Sequence, residues 1–377
     1  MLPVALVRCP SYDSPVLEEA VARAVDLAGG MARYVSPGQR VLVKPNLLAA
    51  CPPEKAVTTH PAVVATVCRL VLEAGGKPFL ADSPALDPFG RVAKKSGLAQ
   101  VAEELGLELL ELGEPTRVAV AQGSPRASLE LARAAVEAPV IISLPKLKTH
   151  TLMLLTLGVK NLFGTVVAQR KAEWHFMVGL DRDNFAGLLL DIWGVLRPAL
   201  TILDGVWGME GLGPNNGTPR HWGLVAASPD ALALDATVGR FLEVDPGRWP
   251  LLREAARRGL LTPERQAPEL LGDPWDAFPD RGITLPALDS LDMLPRPLNW
   301  LVRRYAVSKP AQEDRGCVEC GKCAAVCPAH ALTLTGRHAI FDYKACIRCY
   351  CCQEVCPQGA ISFKKGLLVR LLNAVGR

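Results

Sequence analysis

The sequence has little charge imbalance: its net charge is +4 over 377 residues, with both signs mixed along the chain. So weak a field does not select nucleic acid or an anionic membrane as the main partner. The first residues, Met1 to Pro10, carry no basic lead, no apolar stretch of signal-peptide length and no small-residue cleavage site, so export by a cleaved signal is not expected. An uninterrupted membrane-spanning run is also lacking, because the most apolar window, Phe185 to Leu203, is broken by Asp191, Arg197 and Pro198. Low-complexity stretches are absent too. These absences predict a cytoplasmic chain with no transmembrane segment and no nucleic-acid partner. What is there, 49% hydrophobic and 21% charged residues, is enough apolar side chain for a packed core and excludes a disordered chain.

Cysteine is scarce over the first 316 residues, with only Cys9, Cys51 and Cys68, and dense afterwards, where nine of the twelve lie between Cys317 and Cys356. Ahead of that cluster, Thr262 to Gln312 is rich in proline and poor in periodicity, as a connecting segment would be. The expected organisation is an α/β domain over 1–261, a connecting segment over 262–312, a cysteine-rich domain over 313–365 and a short amphipathic tail over 366–377.

Cys317, Cys320, Cys323 and Cys327, followed by Pro328, form a C-x2-C-x2-C-x3-C-P run, and Cys346, Cys349, Cys352 and Cys356, followed by Pro357, repeat it 29 residues later. Three thiolates on a tight loop can face one iron–sulfur cube while the fourth points at its neighbour. By that rule Cys317, Cys320, Cys323 and Cys356 hold one 4Fe–4S cluster, and Cys346, Cys349, Cys352 and Cys327 hold the other. Zinc fits such paired runs poorly, and disulfides do not suit a reducing compartment. Cys351 is surplus to coordination and reads as a small buried side chain. The pattern resembles the bacterial-type two-cluster ferredoxin, which implies single-electron transfer; a purely structural role for the clusters is the alternative.

Before the cysteines, apolar runs of strand length (40–44, 78–81, 139–144, 199–203, 223–227) alternate with helical patterns (60–74, 90–105, 184–196, 231–242). That order predicts an α/β fold, a mostly parallel sheet with helices on both faces, with a small α+β two-cluster ferredoxin-like domain appended. Ligands of such sheets gather beyond the carboxyl ends of the strands.

Several of those strands end in polar residues. Lys44 and Asn46 flank Pro45. Thr58, Thr59 and His60 precede Pro61, an arrangement that frees helix N–H groups for an anion or simply caps the helix. Asp82 and Ser83 form either a ligand edge or a turn. Lys146, Lys148, Thr149 and His150 follow the apolar run 140–144, and Lys160, Asn161, Arg170, Lys171 and His175 come next. A charge run is usually a solvated face, yet the interleaved Leu152 to Leu157 and Phe163 must be buried, which favours a cleft for a phosphate or carboxylate. The glycine-rich stretch Gly211 to Gly217 lacks the spacing of a phosphate-binding loop.

Taken in order, the Lys-Pro-Asn, Thr-Thr-His-Pro, Asp-Ser-Pro, Pro-Lys-Leu-Lys-Thr-His, Val-Lys-Asn-Leu-Phe-Gly and Gly-Met-Glu-Gly-x-Gly-Pro strings resemble the domain-of-unknown-function 362 family over about residues 3–250. The resemblance implies the architecture, including a C-terminal ferredoxin module, and names no reaction. The resulting expectation is an iron–sulfur protein whose two 4Fe–4S clusters pass single electrons to or from an anionic substrate or cofactor, as an oxidoreductase. Lys44, Asn46, Thr58, Thr59, Lys146, Lys148, Lys160 and Asn161 would bind it, and His60, His150 or His175 would supply a proton. The alternative is a non-catalytic ferredoxin-type carrier that docks a redox partner protein through its large domain, using apolar-basic stretches at 298–304 and 367–372. A third reading makes Asp82, Asp204 and Glu210 a metal- or anion-binding set.

Overall fold

The computed structural model describes residues 2–84, 86–167, 170–171, 173–174, 177, 181–286, 308–313 and 316–364. His175, the stretch 298–304 and the tail 366–377 lie outside these residues.

In chain order the large domain runs β1 (Pro3–Arg8), α1 (Val16–Leu27), β2 (Arg40–Pro45), α2 (Pro61–Glu73), β3 (Lys77–Asp82), α3 (Phe89–Lys95), α4 (Leu98–Leu105) and β4 (Glu108–Glu111). A hairpin of β5 (Pro115–Ala119) and β6 (Ser128–Ala132) follows, then β7 (Val140–Leu144), β8 (Lys146–His150), β9 (Leu154–Thr156) and α5 (Gly158–Asn161). Next come α6 (Arg182–Leu196), β10 (Leu200–Glu210), β11 (Thr218–Ser228), α7 (Ala231–Phe241), α8 (Pro250–Arg257) and β12 (Glu269–Gly272).

The main sheet has the order β12-β1-β11-β10-β7-β2-β3-β4, with β8 and β9 branching from β10. Most of its pairings are parallel, and β11 is antiparallel to both its neighbours. Two-residue alternation sets its faces. Along β1, Val4 and Leu6 join the core containing Phe185 and Leu188 of α6 and Leu234 of α7, whereas Ala5 and Val7 join the core containing Leu17 and Val21 of α1. Val41 and Val43 of β2 pack with α2 and α4, and Leu42 turns the other way to Phe79 and Ile141. Each such fully buried side chain contributes about 1.5–3 kcal/mol, so helices cover both faces, as expected.

Two differences from the expectation have simple causes. The helical pattern 90–105 is cut into α3 and α4 by Gly97, whose φ of +81° ends one helix and redirects the next. The connecting segment is not wholly a linker: Glu269–Gly272 pairs in parallel with Pro3–Leu6 at the sheet edge.

The small module is a near-twofold repeat offset by the 29 residues that separate the cysteine runs. β13 (Lys309–Gln312), α9 (Lys322–Ala325) and β14 (Leu332–Thr335) recur as β15 (His338–Phe341), α10 (Cys351–Glu354) and β16 (Ile361–Lys364). Strands cross-pair, β13 with β16 and β14 with β15, so each half completes its two-stranded sheets with the other.

Candidate functional site

The two cysteine loops share a backbone conformation. Positive φ occurs at Glu319, Gly321 and His330 in the first and at the corresponding Arg348, Tyr350 and Gly359 in the second. Left-handed residues coil each loop tightly enough for its three thiols to face one centre. The N–H of Ala331 donates to Cys327 Sγ at 3.2 Å, and that of Ala360 to Cys356 Sγ at 3.2 Å, the kind of contact that stabilises a thiolate ligand. Cys317, Cys320, Cys323 and Cys356 together line one small cavity walled by Leu334, Ala339 and Ile361. Cys346 lies within electrostatic reach of Cys349 and Cys327. Among the described residues no three His, Cys, Asp or Glu converge on a single-ion position. Thiols spread around a hole suit a cube better than one ion, and the donor set fits 4Fe–4S chemistry.

A second cavity, of about 320 Å³, lies between the two modules at the carboxyl edge of the sheet. Its large-domain wall carries Asn46, Lys146, Lys148, His150, Lys160, Asn161 and Lys171, with Leu157 and Phe163 as apolar surface. Its opposite wall comes from the cluster module, through Ala325, Val326, Cys351, Glu354 and Val355. Because α9 and α10 carry Cys323 and Cys352 of the two runs, the cavity lies beside the cysteine loops.

The lysines differ in how their charge is met. Lys44 is fully buried and ion-paired to Asp82 at 2.9 Å, and Lys146 to Asp204 at 2.8 Å, with Tyr12 Oη accepting a second hydrogen bond from Lys146 at 2.8 Å. Gly164 sits on the Lys44–Asp82 pair so closely that a Cβ there would collide with Asp82 Oδ1 and lie 2.5 Å from Lys44 Nζ. Lys148 has no carboxylate partner among the described residues and donates to Asn46 Oδ1 at 2.7 Å and to the Val57 carbonyl at 2.6 Å. Burial, reinforced by the charges of Lys160 and Lys146, lowers the Lys148 ammonium to about 7. Lys171 donates to the Ser83 carbonyl and is lowered to about 7, again mainly by burial. Lys160 lies 5.3 Å from the ring centres of Phe163 and Phe185 and is also lowered by burial, against the pull of Glu354. Asn161 donates through Nδ2 to Ser143 Oγ at 2.9 Å and to the Lys44 carbonyl at 3.3 Å, which leaves its buried Oδ1 without a donor.

Of the residues expected to bind a ligand, the structure brings Asn46, Lys146, Lys148, Lys160 and Asn161 to this cavity, and His150 with them. Lys44, Thr58, Thr59 and His60 are not in its lining. Thr59 ties strand ends together instead, donating to the Leu144 carbonyl at 2.6 Å and accepting from Asn46 N at 2.9 Å. The cap of α2 is His60, not Thr59: its Nδ1 accepts from Ala62 N, its ring stacks on Tyr12 at 3.6 Å, and burial lowers it to about 4. A ring so engaged and so weakly basic is a poor proton source. His150 accepts at Nδ1 from Leu152 N at 3.0 Å and Met153 N at 3.2 Å, which puts its proton on Nε2, 3.2 Å from Glu354 Oε1. Asp82, Asp204 and Glu210 do not converge, each being matched to its own cation, Lys44, Lys146 and Arg220.

Sequence reasoning missed Glu354 and Gln353, although both lie inside the second cysteine run. The glycine-rich stretch also has a role it did not suggest. Asn216 Nδ2 donates to the Gln353 carbonyl at 2.9 Å and Gln353 Nε2 to the Leu212 carbonyl at 3.5 Å, so this loop seats the cluster module. Lys322, paired with Asp87 at 2.6 Å, fastens the other side. Among the described residues no helix is long and apolar enough to cross a membrane.

Residues 316–360 match the family described as "4Fe-4S dicluster domain", and residues 41–240 match "Domain of unknown function (DUF362)". The chain is 42% identical over 257 residues to "Thylakoid-associated protein sll1697" of Synechocystis sp., a span covering 68% of this chain and 79% of that protein. The lactate racemase apoprotein from Thermoanaerobacterium thermosaccharolyticum superposes with a TM-score of 0.38 at 12% identity, over 62% of this chain and 57% of that one, a likeness too slight to bear on function. With the large domain matched across more than half the chain, this protein belongs to the DUF362 family and carries a C-terminal 4Fe–4S dicluster ferredoxin domain.

Proposed function

We propose that the protein holds two 4Fe–4S clusters and transfers single electrons between an external redox partner and an anionic small molecule, a phosphate or carboxylate, bound in the cavity between its modules. The observation that carries this reading is the composition of the cavity wall. One side presents Lys146, Lys148, Lys160 and Lys171, and the other is built on the two short helices that carry Cys323 and Cys352. Clusters supply single-electron chemistry when bound. The chain's own residues bind and orient: Lys160 and Lys171 attract the anion, Asn161 Oδ1 can accept from a hydroxyl or amino group elsewhere on the ligand, and Leu157 and Phe163 exclude water.

The first cluster site is the more exposed at Cys320, with Val318 beside it 56% exposed, whereas Cys349 and Cys352 of the second are buried. That gradient suits a partner at the first site and the anion at the second. We place the protein in the cytoplasm; the name of the Synechocystis relative, a thylakoid-associated protein, makes contact with a membrane face the competing arrangement.

The test is anaerobic reoxidation of dithionite-reduced protein by a panel of phosphate and carboxylate metabolites. Direct reoxidation that is lost in Lys146→Ala and Lys160→Ala supports the reading. Slow reaction with every anion, together with fast oxidation by an added ferredoxin or flavodoxin, would instead make the chain a carrier. Clusters that resist reduction would make them structural.

A further inference from the structure

Lys148 is set apart from Lys44 and Lys146 by its partners, a feature it shares with Lys171, which donates to the Ser83 carbonyl. Lys44 and Lys146 are each held by an aspartate at 2.9 and 2.8 Å, which fixes them as ammonium groups. Lys148 is just as deeply buried, 1% exposed, and meets only two neutral acceptors, Asn46 Oδ1 and the Val57 carbonyl. A neutral amine has two N–H bonds, and these two acceptors take both, so its lone pair is the one position left for a molecule in the cavity it lines. Facing groups act in both directions. Lys160 and Lys146 disfavour a charge at this position, while Cys51 and Asp82 favour it, and burial decides in favour of the amine. A desolvated lysine beside other cations is the usual arrangement of a nucleophilic amine.

We infer that Lys148 is the reactive amine of the cavity, placed to capture the carbonyl carbon of a small oxo-carboxylate as an imine while Lys160 and Lys171 hold the carboxylate. This rests on the anion-binding reading above and gives it a substrate class. In the step, the Lys148 Nζ lone pair adds to the carbonyl carbon and a C–N bond forms. The carbonyl oxygen then leaves as water, carrying both amine protons. No electrons change hands, so the step is reversible and independent of cluster redox state. Nδ1 of His150 and of His60 is taken by backbone N–H donors, and Nε2 of His150 lies 3.2 Å from Glu354 Oε1, so neither ring is assigned a part in this step.

The test is reductive alkylation of the anaerobically purified full-length protein near pH 7, using glyoxylate or formaldehyde with cyanoborohydride and reading modified lysines by peptide mass spectrometry. An amine that titrates near neutrality is uncharged in about half of the molecules, against less than about one in a thousand for an ordinary lysine, so Lys148 should be labelled roughly 100-fold faster than surface lysines after its lower basicity is discounted. Labelling at that position should vanish in Lys148→Arg. In Lys160→Gln it should slow with both aldehydes, because loss of that charge favours the ammonium form of Lys148, and by several-fold more with glyoxylate than with formaldehyde. If formaldehyde marks Lys148 selectively and glyoxylate does not, the reactive amine stands and the anion-binding reading and oxo-carboxylate class fall. If inorganic phosphate raises the melting temperature of the wild type but not of Lys160→Gln, while neither aldehyde marks Lys148 ahead of surface lysines, anion binding stands and this inference is overturned. Iron content and the far-ultraviolet spectrum of each variant serve as the control for folding.

Discussion

Separating Lys44 from Asp82 should be among the most costly single changes in the large domain. Both side chains are buried, at 0% and 3% exposure, and Asp82 also accepts from Leu47 N at 2.7 Å and Ser83 N at 2.8 Å. Removing one partner of such a pair leaves the other charge without a counterion in a low-dielectric interior, a loss of about 3–5 kcal/mol. The two single variants should differ within that range. Lys44→Met leaves a carboxylate still solvated by two amides and belongs at the low end, whereas Asp82→Ala strands an ammonium and two N–H donors and belongs at the high end. For a domain of this size the corresponding fall in melting temperature is about 6–20 °C. The assay is anaerobic urea unfolding followed by tryptophan fluorescence, with cluster absorbance recorded in parallel so that loss of the small module is not mistaken for unfolding of the large one. The double variant Lys44→Met/Asp82→Ala should be less unstable than the sum of its parts. Losses under about 1 kcal/mol for both single variants, the range of exposed pairs, would refute the idea that this ion pair fixes the sheet edge on which the cavity is built.

Gly164→Ala should cost about 1–3 kcal/mol, because the new Cβ collides with the Lys44–Asp82 pair, and its thermal melt should show the loss even with iron content unchanged. On the proposed ligand assignment, Cys351→Ala should retain the wild-type iron content, whereas Cys352→Ala should lose about half of it, as iron analysis and paramagnetic resonance would show. The folded-state value of Lys148 lies at about 7, below its ordinary value, so between about 7 and 10 the unfolded chain binds more protons and stability should rise with pH across that window. In Lys148→Met that rise should shrink, and parallel unfolding curves for wild type and variant at both ends of the window would contradict the burial argument. Gln353→Ala removes the side-chain link to the Leu212 carbonyl and should speed proteolytic release of the cluster module without changing the large domain's melt.

How much of this could be seen in the sequence varies with the range of the interactions. The cysteine loops were fully legible, because spacing within each run and the shared 29-residue offset are local properties. Strands such as Val140–Leu144, continuously apolar because both faces are covered, were equally plain. What could not be read was partnership across distance. Nothing around Tyr12 announces its bond to Asp204, 192 residues away, and nothing in Thr-Thr-His-Pro says that the histidine, not the threonine, caps the helix. The run of lysines read equally well as a solvated face until packing showed that two are neutralised by aspartates and others are not. The short strand Glu269–Gly272, inside a proline-rich stretch, has too few residues to carry a periodic signal.

The central claim is that the cysteine-rich module holds two redox-active 4Fe–4S clusters, one of them beside the lysine-lined cavity. Iron analysis and paramagnetic resonance of anaerobically purified, dithionite-reduced protein test it most directly. The account predicts about eight irons per chain and the signals of two interacting reduced clusters. Zinc in place of iron, or iron with no signal after reduction, would contradict it.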